Sequence, residues 1–360
     1  MSDSDRLLNF VSSVSGEDFL KVEENLGDGF VRLRISEAER RQAKHDIRSF
    51  EDIVVELLRN SRDARAQRIF VASSRDGDTR SFTIVDDGVG IPESLQDRVF
   101  EPRVTSKLET MVMDKWGVHG RGMALYSVRT NVVSARITCS AEHKGTALTI
   151  TSDTELLSER SDQSTWPAVE RDDEGTLKVT RGPHNIIRRV LEFAVEHPQI
   201  RVYLGTPAEV LSTLHSCARE ELDTSEMLFC DDSSVLPVWQ RAAVSSDAAE
   251  LVQVADEIGL SISERTAHRI LADELCSLET VLVQARPDED EPGPSGPEPD
   301  IYRDRRGLRI HHTDMDAFKH ELEQAFDTIA ERYYVHLKGE PKITVRKEGL
   351  QVRFDIEKEE

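Results

Sequence analysis

Apolar residues fall at helical spacing around residue 55. Ile53, Val54, Leu57 and Leu58 share one face of a predicted helix, and Glu56, Asn60 and Asp63 share another. Residues 68–72 and 81–85 alternate as strands do, and Lys144-Gly145 with residues 146–150 predicts a turn and a strand. Residues 152–173 read as a charged, strand-poor insertion, followed by a strand at 177–180. An amphipathic helix over 185–195 is ended by His197-Pro198, and a strand runs on to Leu204. Residues 254–270 predict helix, turn, helix around Gly259. Residues 287–300, rich in proline and carboxylates, predict an extended linker. Beyond it, Phe318, Leu322, Phe326, Ile329 and Tyr333 mark a helix, and residues 342–356 a β-hairpin turning at Glu348-Gly349. The predicted segments are 1–175, 176–286, 287–300 and 301–360.

Polar positions then add chemistry. A Glu and an Asn on one helix stripe can place a water and a divalent cation beside a phosphate. Asp86 ends a strand and is followed by Asp87, Gly88, Val89, Gly90 and Ile91, so that backbone can approach a planar ligand. Thr105, Ser106 and Lys107 close a polar turn. Gly117, His119, Gly120, Arg121, Gly122 and Met123 open an apolar, helix-like segment, and free N–H groups at a helix start bind anions.

These elements, in this order over roughly residues 40–150, resemble the nucleotide-binding domain of the GHKL ATPase superfamily of gyrase-type topoisomerases, heat-shock ATPases, histidine kinases and mismatch-repair ATPases. The resemblance implies an α+β Bergerat fold: a mixed sheet with helices on one face, within residues 1–175. It implies ATP and Mg²⁺ as cofactors. Asn60 would hold the metal, with Asp63 on the same stripe, and Asp86 would accept the adenine amino group. Asp87 stands where the family often has Asn. Gly88, Gly90 and Ile91 would wrap the base, and Thr146 would reinforce its recognition. Thr105, Ser106, Lys107 and the backbone of Gly117, His119, Gly120, Arg121, Gly122 and Met123 would cradle the phosphates, under a lid from Lys107 to Trp116. Phosphoryl transfer needs mainly this positioning and charge stabilisation.

Glu56 stands where hydrolytic members carry the residue that activates water; histidine kinases usually have Asn there. A kinase also needs a phosphoacceptor histidine on a separate helical hairpin. His45 lies only eleven residues before Glu56, too close for one. The helix–His-Pro–strand step resembles type IIB topoisomerase B subunits and mismatch-repair ATPases. Residues 254–270 are similar to the helical hairpin of topoisomerase VI B subunits; a DNA-reading helix-turn-helix and a plain core hairpin are the other readings, and Arg265 falls where a DNA reader wants an apolar side chain. Lys338 and Lys342 are the candidates for a transducer lysine, although a full transducer has more strands than remain. The expectation is an ATP-gated, homodimerising ATPase subunit of a topoisomerase VI B-like complex with a separate DNA-cleaving A-type subunit. The alternatives are a histidine-kinase-like signalling protein or a nucleotide-gated binding module without turnover.

Composition narrows the partners. A net charge of −22 disfavours a direct grip on DNA, so DNA is expected only through a complex; the basic runs 40–44 and 303–309 are short. No run of about twenty apolar residues exists to span a membrane. Four scattered cysteines show neither metal spacing nor a disulfide framework, which fits a cytoplasmic protein.

Overall fold

The helix that the stripe predicts starts where the Asp52 carboxylate accepts the backbone N–H groups of Arg48 and Ser49, at 2.9 and 3.2 Å. A computed structural model describes residues 22–105, 112–114, 117–119, 122–171, 177–223, 230, 232–285, 318–326, 330, 335–338, 341–346, 349–354 and 356–358. The chain divides into two units, Met1–Pro287 and Asp288–Glu360.

In the first unit, α1 (Glu37–Asp46) precedes α2 (Phe50–Asp63). Arg65, with φ of 62°, then turns the chain into strand β3 (Arg68–Asp76). Its partners are β4 (Thr79–Asp86), β8 (Ser134–Ser140), β9 (Thr146–Asp153) and β12 (Arg201–Gly205), in the spatial order β12-β3-β4-β9-β8. The β12–β3 pair is parallel and the others antiparallel, so the sheet is mixed as the resemblance implies. An N-terminal hairpin, β1 (Val22–Gly27) and β2 (Phe30–Leu33), pairs with β5 (Val104–Thr105) in a separate small sheet.

Strand alternation sends side chains to two cores. Ile69, Val71, Phe82, Ile84, Leu148 and Ile150 meet Ile53, Val54, Leu57 and Leu58 of α2, together with α3 (Ala124–Asn131) and α4 (Ile186–Glu196). Each such side chain, fully buried, contributes roughly 1.5–3 kcal/mol. Phe70, Ala72, Val85 and Ala147 point the other way, into α5 (Pro207–Glu221), a 3-10 segment Val238–Val244, α6 (Ala248–Glu257) and α7 (Glu264–Leu271). The face opposite α2 is therefore also covered, by helices that follow the ATPase-like segment. Sheets buried on both faces carry near-continuous apolar runs, as β3 and β4 do.

Two local expectations change. Gly117 and His119 lie in strand β7 (Gly117–His119), paired with β6 (Val112–Asp114), rather than at the mouth of the helix. Valines at 112 and 118 favour that ladder, and Gly122 alone of these two described glycines precedes α3. In the second unit, β14 (Lys342–Arg346) pairs with β15 (Gly349–Arg353), and Gly349, expected in the turn, pairs with Arg346 in the ladder; Glu348 lies outside the described residues. There too β13 (Val335–Leu337) pairs with β16 (Ile356–Lys358), residues 318–326 are helical, and Phe326 stacks on Phe354 at 5.1 Å. Lys338 follows β13 and Lys342 opens β14. The linker 287–300 and basic run 303–309 lie outside the described residues. Among those residues no helix is long and apolar enough to cross a membrane.

Candidate functional site

Helix α2 forms one wall of a cleft of about 960 Å³, to which it contributes Glu56, Asn60 and Asp63. Facing residues come from Gly90 and Ile91, from Thr105 of β5, and from Gly122, Met123 and the first turn of α3. Asp28 and Phe30 of the N-terminal hairpin also line it. Ser106, Lys107, Gly120 and Arg121 lie outside the described residues.

Glu56 is not a lone carboxylate. Arg59, one turn on and only 3% exposed, donates from Nη1 to Glu56 Oε1 at 2.7 Å. Asp63 accepts from Arg62 Nε and Nη2, at 3.0 and 2.9 Å. The carboxamide nitrogen of Asn60 is buried and has no hydrogen-bond partner within the protein. Buried polar groups are normally paired, so this amide suits a group the protein does not itself supply. Its oxygen is a hard ligand of the kind Mg²⁺ takes. Among the described residues no cluster of three or more His, Cys, Asp or Glu forms a metal cage. A single side-chain oxygen with phosphate oxygens is a usual way to hold Mg²⁺, so the donor set fits.

Asp86 ends β4, buried and directly opposite Thr146 of β9. Its Oδ2 accepts the Ser61 hydroxyl at 2.8 Å and its Oδ1 accepts the Gly88 N–H at 3.0 Å. Burial pushes the Asp86 carboxyl up to about 6, against the pull of those two hydrogen bonds. Asp87 serves a different purpose: its Oδ1 accepts the N–H groups of Gln67 and Arg68, at 2.7 and 2.8 Å, and fixes the start of β3.

Asp86 and Thr146 are not among the residues that line the cleft; they sit behind its Val89–Ile91 wall, next to a hydrogen-bonded turn. Ser140 Oγ accepts the Ile91 N–H at 2.8 Å, donates to the Gly145 carbonyl at 2.9 Å and lies 3.0 Å from Thr146 Oγ1. A hydroxyl has one hydrogen, and that of Ser140 goes to Gly145, so Thr146 is the donor in the last contact. Thr146 then offers only acceptor lone pairs to a ligand, like the ionised Asp86 nearby. That arrangement suits an exocyclic amino group. Gly90, with φ of 74°, approaches the Ala141 carbonyl so closely that a Cβ there would collide with it.

On the phosphate side, Thr105 is buried in β5 opposite Val31. Arg103, buried and with φ of 64°, donates its N–H to the Gly122 carbonyl at 2.7 Å and so fixes the approach to α3. The opening N–H groups of α3 have no intrahelical acceptors and favour an anion. Gly117 and His119, in β7, are not part of that helix mouth.

Sequence reasoning singles out neither Arg59, Ser61 nor Ser140. The first two lie inside the quoted motif, but nothing in helical spacing distinguishes a hydroxyl aimed at a strand end. Ser140 meets Thr146 only through the β8–β9 register. No curated protein matches the chain. Residues 45–156 match the family model described as histidine kinase-, DNA gyrase B- and HSP90-like ATPase, over the same helix, strands and turns that build the cleft. This segment is therefore a GHKL-type ATP-binding domain.

Proposed function

We propose that this chain hydrolyses ATP in the α2–α3 cleft with Mg²⁺. The observation that carries the reading is the Ser61–Asp86 bond: it ties the base-recognising carboxylate to the same helix whose Glu56 and Asn60 line the cleft. Asp86 and Thr146 accept the adenine amino group. The α3 N-terminus and Thr105 hold the phosphates, and the Asn60 carboxamide oxygen holds the metal against them. When bound, Mg²⁺ neutralises charge on the phosphate oxygens. Glu56 takes a proton from water as the water oxygen bonds to the γ-phosphorus; the bond to the β-phosphate oxygen breaks, giving ADP and phosphate.

At a finer level the chain acts as an ATP-gated, homodimerising subunit of a topoisomerase VI B-like complex, with a separate DNA-cleaving subunit. Support comes from the α4–His197-Pro198–β12 step and from the α6–α7 hairpin. A histidine-kinase role is disfavoured because His45 sits on α1, a single ten-residue helix. A second reading, nucleotide-gated binding without turnover, is favoured by the Glu56–Arg59 ion pair, which engages the would-be base.

The test is phosphate release by wild type and Glu56→Ala. Hydrolysis predicts that the variant keeps ATP and loses turnover; equal turnover removes Glu56 as base, and none in either supports the binding module. Acid-labile phosphohistidine from γ-labelled ATP would indicate a kinase. Co-purification without a nuclease-like partner contradicts the topoisomerase-like assignment.

A further inference from the structure

The adenine-recognition turn is gripped from behind by a segment that follows the ATPase-like domain in sequence. Residues 141–145 join β8 to β9. On one side Gly145, with φ of 81°, packs against the Asp86 carbonyl so tightly that a Cβ would collide with it. The His143 N–H reaches the Val89 carbonyl at 2.6 Å, joining the turn to the glycine motif after Asp86. On the other side the Lys144 carbonyl accepts the Val238 N–H at 2.7 Å, and the Lys144 ammonium donates to the Ser234 carbonyl at 2.9 Å.

Arg241 completes the grip. Buried, it donates to the carbonyl of Ser234 at 3.2 Å, to that of Leu236 at 3.4 Å and to Cys139 Sγ at 2.8 Å. Cys139 immediately precedes Ser140, the partner of Thr146. A second connection reaches the other flank of Asp86. Arg68 lies over the Trp239 ring at 4.3 Å, and its own N–H is held by Asp87. Residues 233–241 therefore touch the β8 end and the β8–β9 turn, and reach Arg68, which bonds the residue after Asp86.

We infer that residues 233–241 are a positioning element for the base site, with Arg241 and Lys144 as its working side chains, so that nucleotide affinity depends on how the rear helical layer is docked. This rests on the adenine-nucleotide reading of the cleft. Ordinary core packing would bury Trp239 and Val238 equally well. It would not require a buried guanidinium spanning from Cys139 to the carbonyls of Ser234 and Leu236, nor a lysine whose main chain and side chain both bond to the same segment.

The test uses the full chain and ADP, with GDP as comparison, measured by titration calorimetry. Arg241→Met and Lys144→Met are expected to weaken ADP binding, the former about tenfold, and to narrow the preference for ADP over GDP. Arg241→Lys, which keeps a cation and donors, loses less. Leu251→Ala creates a cavity in the same helical layer, away from the turn, and should lower stability while leaving ADP affinity near wild type. ADP should also slow amide exchange at Val238 in the wild type, and Arg241→Met should speed it across residues 140–146. Unchanged ADP affinity in both methionine variants, or an equal loss in Leu251→Ala, overturns the inference. Wild type that binds no ADP fails at the earlier step, overturning the site reading and this inference with it.

Discussion

The Ser61 hydroxyl donates to Asp86 Oδ2 at 2.8 Å, joining the helix that carries Glu56 and Asn60 to the strand end proposed to read the base. Both residues are buried. Ser61→Ala removes a hydrogen bond to a charged acceptor and should cost on the order of 1–3 kcal/mol of stability above about pH 7. Urea unfolding measures this. The cost should shrink near about pH 5, where a protonated Asp86 no longer needs the donor.

Asp86 makes stability and binding respond to pH in opposite directions. Its carboxyl is raised from 3.8 to about 6, so the fold favours the protonated form. Through that window the folded state holds the proton more tightly than the unfolded chain, and stability falls as pH rises. Above the folded value the penalty is full, roughly 3 kcal/mol as an upper bound. Ligand binding should have the reverse sign, because the ionised carboxylate is the stronger acceptor for the adenine amino group. ADP affinity should therefore drop as pH falls below about 6. Calorimetric titration and urea unfolding across this range check both arms.

Gly90→Ala introduces a Cβ at φ of 74° and into the Ala141 carbonyl. The strain and the clash should lower stability by about 2 kcal/mol or more and push residues 89–91 out of register with the 141–145 turn. Thermal unfolding should show the loss, with ADP binding reduced beyond what the unfolded fraction explains.

Among the described charged residues that line the cleft, Asp28, Asp46, Asp52, Glu56, Asp63 and Glu142 outnumber Arg48 and Arg59. A polyphosphate entering this field gains from an accompanying cation. Removing Mg²⁺ with EDTA should weaken ATP binding by about tenfold or more. In Asn60→Ala, ATP affinity should become nearly independent of Mg²⁺, as titrations with and without the metal would record.

Local pattern carried much of this. Helix spacing alone separates Ile53, Val54, Leu57 and Leu58 from Glu56, Asn60 and Asp63, and α2 buries the first set and turns the second to the cleft. Asp86 is legible as a strand end before glycines. The pairs that finish the site are not local. Ser61 meets Asp86 across 25 residues and Ile91 meets Ser140 across 49, through sheet pairing that no short motif encodes. The second helical layer is equally hidden: the Gly259 turn is readable, but that its carbonyl accepts from Thr83 at 2.7 Å depends on the whole sheet.

Asp86→Asn tests the central claim most directly. The substitution keeps shape and removes a buried charge, so the variant should fold at least as stably as wild type at about pH 8. In the wild type Ser61 and the Gly88 N–H each have their own carboxylate oxygen; in the variant one oxygen becomes an NH₂ donor, which meets an adenine amino group donor to donor. Wild type should bind ADP and the variant should bind it at least tenfold more weakly, about 1.4 kcal/mol. Equal ADP affinity in a folded Asp86→Asn protein would contradict the assignment of this cleft as an adenine-nucleotide site.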